Sequence, residues 1–425
     1  MKISVKKNFK SLNGEIIVPP DKSLSHRAIL FSSLASGKSV IKNFSSGKDP
    51  HSSLDVCRSL GVNFDIKDDR IVVNSSGKLA APDKDLYCGN SGTTMRLMAG
   101  ILSGQSFLSV LCGDESLSSR PMKRIIEPLK LMGADIKSDN NRAPLEIKGS
   151  HLFGVTYNSA ISSAQVKSCV LLAGLHAEGE TVFSEPYLSR NHTEIMLKNM
   201  GADIFSNGNT VHIKKSKLSP IEIEISGDIS STAYFIVAGL IVPNSQIVLK
   251  NVNINPTRTG ILDVVKLMNG NIEILDQREV CSEPVADIKV SYSQNLRSCT
   301  ISGDLIPKLI DEIPVISLLA TQCDGQTIIS DAQDLRNKES DRISSTVSEL
   351  KKLGADIEET PDGMVINGKS FLSGGIIVDS YRDHRLAMTL YVAGLISQKE
   401  ISIKDFEWVN ISFPEFERLF ENLKV

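Results

Sequence analysis

Six short polar segments each stand at the head of an apolar stretch, and their residue types suit the capture of anions. They read Asp21-Lys22-Ser23-Leu24-Ser25-His26-Arg27, Gly89-Asn90-Ser91-Gly92-Thr93-Thr94, Ser162-Ser163-Ala164-Gln165-Val166-Lys167, Gly227-Asp228-Ile229-Ser230-Ser231-Thr232, Asp311-Glu312-Ile313-Pro314 and Asp379-Ser380-Tyr381-Arg382-Asp383-His384-Arg385. Ser, Asp, Asn and Thr in such places cap helices, and for Asp228 to Thr232 capping accounts for the residues. Lys22, Arg27, His384 and Arg385 go further, since capping alone would favour carboxylates where the helix dipole is already positive. Open backbone amides, small residues and added cations make an anion site, with a phosphate or carboxylate as the expected occupant. Gly89 and Gly92 fit a backbone that must come close to such a ligand.

Two more clusters carry charge, Arg336-Asn337-Lys338-Glu339-Ser340-Asp341-Arg342 and Ser118-Ser119-Arg120-Pro121-Met122-Lys123. Arg120 and Arg342 are candidates for two-pronged recognition of an anion, whereas Asp341 and Lys123 fit a solvated helix face equally well. The chain has neither a phosphate-loop lysine motif nor a dinucleotide glycine fingerprint. Its seven histidines form no zinc pattern, and no nucleophile elbow is present. These residues point to an enzyme without metal or cofactor, acting on small anions by proton transfer and electrostatic stabilisation.

The elements that must hold these residues recur along the chain. Met132-Gly133-Ala134-Asp135-Ile136 returns at Met200 to Ile204 and, with Leu for Met, at Leu353 to Ile357, with weaker copies at Leu60 to Phe64 and Met268 to Ile272. Upstream of each lies an amphipathic helix pattern, Ile343, Val347, Leu350 and Leu353 being one instance. The glycine is the helix cap, and a strand follows it. A second series, out of phase with the first, covers Arg27 to Gly37, Met95 to Gly104, Val166 to Gly179, Thr232 to Val242, Ile313 to Gly325 and Leu386 to Ser397. These helices are too apolar to lie at a surface. The unit of buried helix, strand, amphipathic helix, glycine cap and strand repeats six times at roughly 70-residue spacing, longer than the common solenoid units, which favours a few compact domains over an open array.

Composition sets the outer bounds. The 425 residues are 41% hydrophobic and 23% charged, ordinary for a folded soluble chain. Lys and Arg number 47 against 50 Asp and Glu, a formal charge of -3 that argues against a nucleic-acid or anionic-membrane partner. Any positive site must be local, with its balancing acids expected elsewhere on the surface. Seven scattered cysteines without close pairs suggest neither a disulfide framework nor a zinc knuckle, and a reducing compartment follows. Residues 1–14 lack the apolar run of a signal peptide, and the longest apolar run, Tyr234 to Val242, is about half of a membrane span. A cytoplasmic location is the expectation.

Taken together, Asp21-Lys22-Ser23-x-Ser25-x-Arg27, Gly89 to Thr94, Ser163-Ala164-Gln165, Arg336-x-Lys338-Glu339-x-Asp341-Arg342 and Asp383-His384-Arg385 resemble the motifs of the EPSP synthase family, in the same order over nearly the whole chain. The resemblance implies an α/β fold, a two-domain inside-out α/β barrel of six repeated strand and helix units, three per domain, with the active site in the cleft between the domains. Domain one would span 20–226, and domain two 1–19 with 227–425. The implied reaction moves the enolpyruvyl group of phosphoenolpyruvate to the 5-hydroxyl of shikimate 3-phosphate through a tetrahedral intermediate, by a monomer that needs no cofactor.

The resemblance also assigns residues. Shikimate 3-phosphate would be held by Lys22, Ser23, Arg27, Ser163, Ala164, Gln165, Arg190, Asp311 and Lys338. Phosphoenolpyruvate would be held by Lys22, Asn90, Gly92, Arg120, Gln165, Arg342, His384 and Arg385. Asp311 would be the base for the hydroxyl, and Glu339, assisted by Lys22, would handle the other proton transfer. Cations around Glu339 should lower its pKa, so an acid role needs burial or substrate charge to oppose them. Gly92 implies sensitivity to glyphosate. Two features set this chain apart from many members: Ile411 stands where a lysine commonly precedes Ser412-Phe413-Pro414, and the Arg190 segment belongs to one subgroup. Rival readings are a UDP-N-acetylglucosamine enolpyruvyl transferase, which would carry Asn in place of Ser23 and a reactive loop cysteine, and a non-catalytic anion-binding repeat protein, which would not need Asp311 and Glu339 beside the cations. Cys112, the candidate for such a cysteine, reads better as a small buried hydrophobe.

Overall fold

A helix with no polar face must be covered on every side, and six helices in the chain are. They are Lys22–Leu34, Gly92–Ser103, Ala164–Gly174, Ile229–Ile241, Ile313–Ala320 and His384–Ile396. Five of them start ahead of the apolar run that marks them in the sequence, because the polar residue before each supplies a cap. Asp21, Ser91, Ser163, Asp228 and Asp383 each accept a backbone N–H from the first turn. The anion-site motifs therefore form the first helical turns themselves.

The computed structural model describes residues 2–425, and the chain folds as two units. One comprises Pro20–Ile225, and the other the residues up to Pro19 with Ser226–Val425. In the first unit, three four-stranded sheets surround the helices. Leu86–Tyr87, Leu108–Cys112, Arg142–Lys148 and Asp135–Asp139 lie side by side, and Thr156–Asn158, Glu180–Ser184, Thr210–Lys214 and Ile204–Asn207 repeat the order. In each the leading pair is parallel, joined through a buried helix, and the rest is antiparallel. The remaining sheet takes its leading strand, Glu222–Glu224, from the far end of the segment and pairs it with Ser36–Lys42.

The second unit uses the same device with the N-terminus. Asn13–Ile17 pairs in parallel with Gln246–Asn253 ahead of Ile229–Ile241, and Ile3–Val5 runs antiparallel to Ile401–Lys404. That last sheet has three strands rather than four. The sixth repeat thus has a single antiparallel strand, from the N-terminus, where the other sheets have a hairpin, and the glycine cap and strand expected at its end are absent among the described residues. A 3-10 turn, Phe406–Ile411, and the helix Phe416–Leu423 follow instead, and their aromatic side chains join the core around Phe235 and Tyr391. Ile229–Ile241, Ile313–Ala320 and His384–Ile396 all pack against one another.

Close helix packing and helix ends explain the glycines that matter. A Cβ on Gly100 would stand 2.2 Å from the Cys169 carbonyl oxygen, so Gly92–Ser103 and Ala164–Gly174 touch backbone to backbone. Gly61, Gly133, Gly201 and Gly354 end the amphipathic helices with positive φ. In the weak copy near Met268 the left-handed residue is Asn269, at the cap position that glycine fills in the other copies. The hairpins after the caps turn on pairs with positive φ, such as Asn140-Asn141 and Cys281-Ser282.

Candidate active site

In the unit Pro20–Ile225 the three helix starts are joined by side-chain hydrogen bonds. Gln165 Oε1 accepts from Arg96 Nη1 at 2.5 Å, and its Nε2 donates to Thr93 at 3.0 Å, which fixes both faces of the amide. Arg27 is buried; Nε donates to Thr193 Oγ1 at 2.8 Å, Nη2 to Ser168 Oγ at 2.9 Å and Nη1 to the Ser23 carbonyl at 3.0 Å. Lys22 Nζ lies 2.5 Å from Asp49 Oδ2. Arg120 donates to Asn90 Oδ1 at 2.7 Å, and Asn90 in turn donates to Asp114 at 2.8 Å. A Cβ on Gly92 would meet Arg96 Nη1 at 2.8 Å and Arg120 Nη1 at 3.5 Å, so this glycine lies between two guanidinium groups. Ser163 caps the third helix ahead of Ala164 and Gln165. Arg190 is half-buried and lies three residues before Thr193, the partner of Arg27, just ahead of the helix His192–Asn199.

In the other unit Arg342 is the hub. Nη2 donates to Glu339 at 2.6 Å, Nε to Asp383 at 2.8 Å and Nη1 to Asp311 at 3.4 Å. Burial opposes the charge on Arg342, yet Asp383 and Glu339 outweigh it and raise the guanidinium pKa above its ordinary value. Arg385 is raised likewise, with burial overcome chiefly by Asp311, whose Oδ2 lies 3.8 Å from Nη2. Asp383 is itself lowered: its burial works the other way, and the Arg342 charge prevails. His384 is buried in the first turn beside these groups. Lys338 lies 3.2 Å from Asp334, next to Glu339 in the chain.

The acids expected elsewhere on the surface are therefore at the cations themselves. Lys22 faces Asp49, Arg342 faces three carboxylates, and Lys338 faces Asp334. At these three cations the opposite charge that offsets desolvation is supplied locally. Asp341 caps Arg342–Lys352 through the amides of Ile343 and Ser344 and takes Arg336 Nη1 at 2.8 Å, while Lys123 is exposed. Asp228 combines its cap with a buried ion pair to Arg258 at 2.9 Å. Cys112 is half-buried, and desolvation raises its thiol pKa, a poor setting for a nucleophile.

A family model described as EPSP synthase (3-phosphoshikimate 1-carboxyvinyltransferase) matches residues 6–420. The chain belongs to the EPSP synthase family. A 3-phosphoshikimate 1-carboxyvinyltransferase of Thermodesulfovibrio yellowstonii is 52% identical over 98% of this chain and 99% of its own, and one of Bacillus pumilus is 49% identical over 97% of each. The solved EPSP synthase of Acinetobacter baumannii superposes with a TM-score of 0.88 at 40% identity, covering 100% of this chain and 98% of that one. The enolpyruvyl transferase NikO of Streptomyces tendae shares the fold, with a TM-score of 0.80 at 15% identity. The chain is thus a transferase with the α/β architecture of that family.

Within this EPSP synthase family member, sequence reasoning passed over Arg96 and Asp49 as partners of the candidate residues, and it quoted Asp383 in a motif without giving it a role. Arg96 had a signal: it lies one helical turn after Gly92, on the same face. Asp49 had little, being one acid in the first turn of an amphipathic helix. Ile411 closes the 3-10 turn before Phe413, and Phe413 is fully buried in the aromatic core. Among the described residues no helix is long and apolar enough to cross a membrane.

Proposed function

We propose that the chain transfers the enolpyruvyl group of phosphoenolpyruvate to the 5-hydroxyl of shikimate 3-phosphate, releasing inorganic phosphate. The observation that carries this reading is identity near 50% over the full length of proteins named for that reaction. The linked cations of both units support it, since each substrate brings a phosphate and a carboxylate. Lys22, Ser23, Arg27, Ser163, Ala164, Gln165, Arg190 and Lys338 serve shikimate 3-phosphate; Asn90, Gly92, Arg120, Arg342, His384 and Arg385 serve phosphoenolpyruvate, with Lys22 and Gln165 shared.

The chemistry needs one base and one acid. Asp311 takes the hydroxyl proton as the oxygen bonds to C2, and Glu339, assisted by Lys22, protonates C3. The tetrahedral intermediate then loses phosphate as C3 returns its proton. Asp311 and Glu339 both lie on Arg342, a geometry suited to holding two carboxylates ready for opposite transfers. We read the protein as a cytoplasmic monomer sensitive to glyphosate, with Gly92 supporting the last point.

Phosphate release measured with each substrate omitted in turn tests the reading. Release that requires both substrates is expected; release with a UDP-sugar as acceptor, or none with shikimate 3-phosphate, contradicts it.

A further inference from the structure

The helix Lys48–Ser59 packs on Lys22–Leu34 and meets it in two rungs one turn apart. In the first, Asp49 Oδ2 holds Lys22 Nζ at 2.5 Å; in the second, Ser53 Oγ lies 2.7 Å from His26 Nδ1. Lys22 and His26, like Asp49 and Ser53, are four apart and share a helix face. Ser53 also lies 2.8 Å from Thr94 Oγ1, and Thr94 donates to Ser91, the cap of Gly92–Ser103. Asp49 is buried, so this ladder ties its carboxylate to two of the three helix starts.

We propose that Asp49 is a positioning residue for enolpyruvyl transfer, fixing the Lys22 ammonium where the reacting groups need it. The proposal rests on the reading of Lys22 given above. Lysine is a point charge on a flexible four-carbon stem with many rotamers open to it. One donor committed to a fixed carboxylate removes much of that freedom and fixes the direction in which the ammonium points. Neutralising Asp49 would then have opposed effects. The anion site becomes more positive, so ground-state binding holds or tightens, while the ammonium loses its fixed place and the chemical step slows. A lesion that merely loosened packing would instead raise KM.

The test is Asp49→Asn in the full chain, with steady-state kinetics in both substrates and a thermal melt. Expected are a fall in kcat of at least about threefold and a KM for phosphoenolpyruvate unchanged or lower. Asp49→Glu, which keeps the charge, should recover most of kcat. The proposal is overturned by a smaller fall in kcat, by a KM raised more than about threefold, by Asp49→Glu as slow as Asp49→Asn, or by an Asp49→Asn chain that does not fold. Failure of the parent protein to turn over these substrates would instead strike the functional reading, so the two failures are distinct.

Discussion

Arg342 and Asp383 form a buried ion pair in which Nε donates to Oδ2 at 2.8 Å and Nη2 to Oδ1 at 3.3 Å. The same carboxylate accepts the Arg385 backbone N–H at 2.9 Å, so one side chain holds the Arg342 guanidinium and caps the helix that carries Arg385. Asp383→Ala removes the most deeply buried of the three carboxylates on Arg342 and a helix cap. Breaking such a pair costs about 3–5 kcal/mol. Chemical denaturation should show that loss, together with loss of turnover; a variant as stable as the parent would show the pair to be unimportant.

Gly92 gives a sharper test, because an added methyl group meets flexible arginine ends rather than backbone. Gly92→Ala should fold normally, displace Arg96 by the few tenths of an ångström its 2.8 Å approach demands, and weaken phosphoenolpyruvate. Loss of one charge-assisted contact corresponds to about 1.5–3 kcal/mol, read as a raised KM. An unchanged KM would remove Gly92 from the site.

The same magnitude applies to Arg120, whose guanidinium is held on Asn90. Arg120→Ala should weaken phosphoenolpyruvate by about 1.5–3 kcal/mol, and Arg342→Ala at least as much, with added instability from the acids left behind. Unchanged kinetics in both variants would refute the clamp.

The buried imidazole of His26 makes stability depend on pH. Burial, and after it the charges of Lys22 and Arg27, hold His26 well below its ordinary value of 6.5. The folded state therefore favours the neutral ring. Its stabilising contribution is complete above pH 6.5 and declines as pH falls from there towards the depressed folded value. Melting temperatures between pH 7 and 5 should fall more steeply for the parent than for His26→Gln. Parallel slopes would contradict this.

What could be read without coordinates was what repeats or caps. The pentapeptide at Met132, Met200 and Leu353 marked the helix ends, and the polar heads marked the helix starts, because both signals are local. The hairpin at Cys281-Ser282 carried no turn-forming glycine or asparagine, so local chemistry gave no warning of it. In the sixth repeat the antiparallel partner is Ile3–Val5, from the opposite end of the chain, which no local pattern announces. Asp49 escaped notice for the same reason: the contact that gives it meaning crosses 27 residues, from Lys22 at one helix start to Asp49 at the next. Local pattern finds cations, and only packing finds their counter-charges.

Following the reaction by phosphorus NMR in buffer containing EDTA tests the central claim most directly. With shikimate 3-phosphate and phosphoenolpyruvate supplied together, the phosphoenolpyruvate signal should give way to inorganic phosphate, while the shikimate phosphate shifts to that of the enolpyruvyl ether in equal amount. A phosphoenolpyruvate signal that persists, or that is lost without change at the shikimate phosphate, would contradict the assignment.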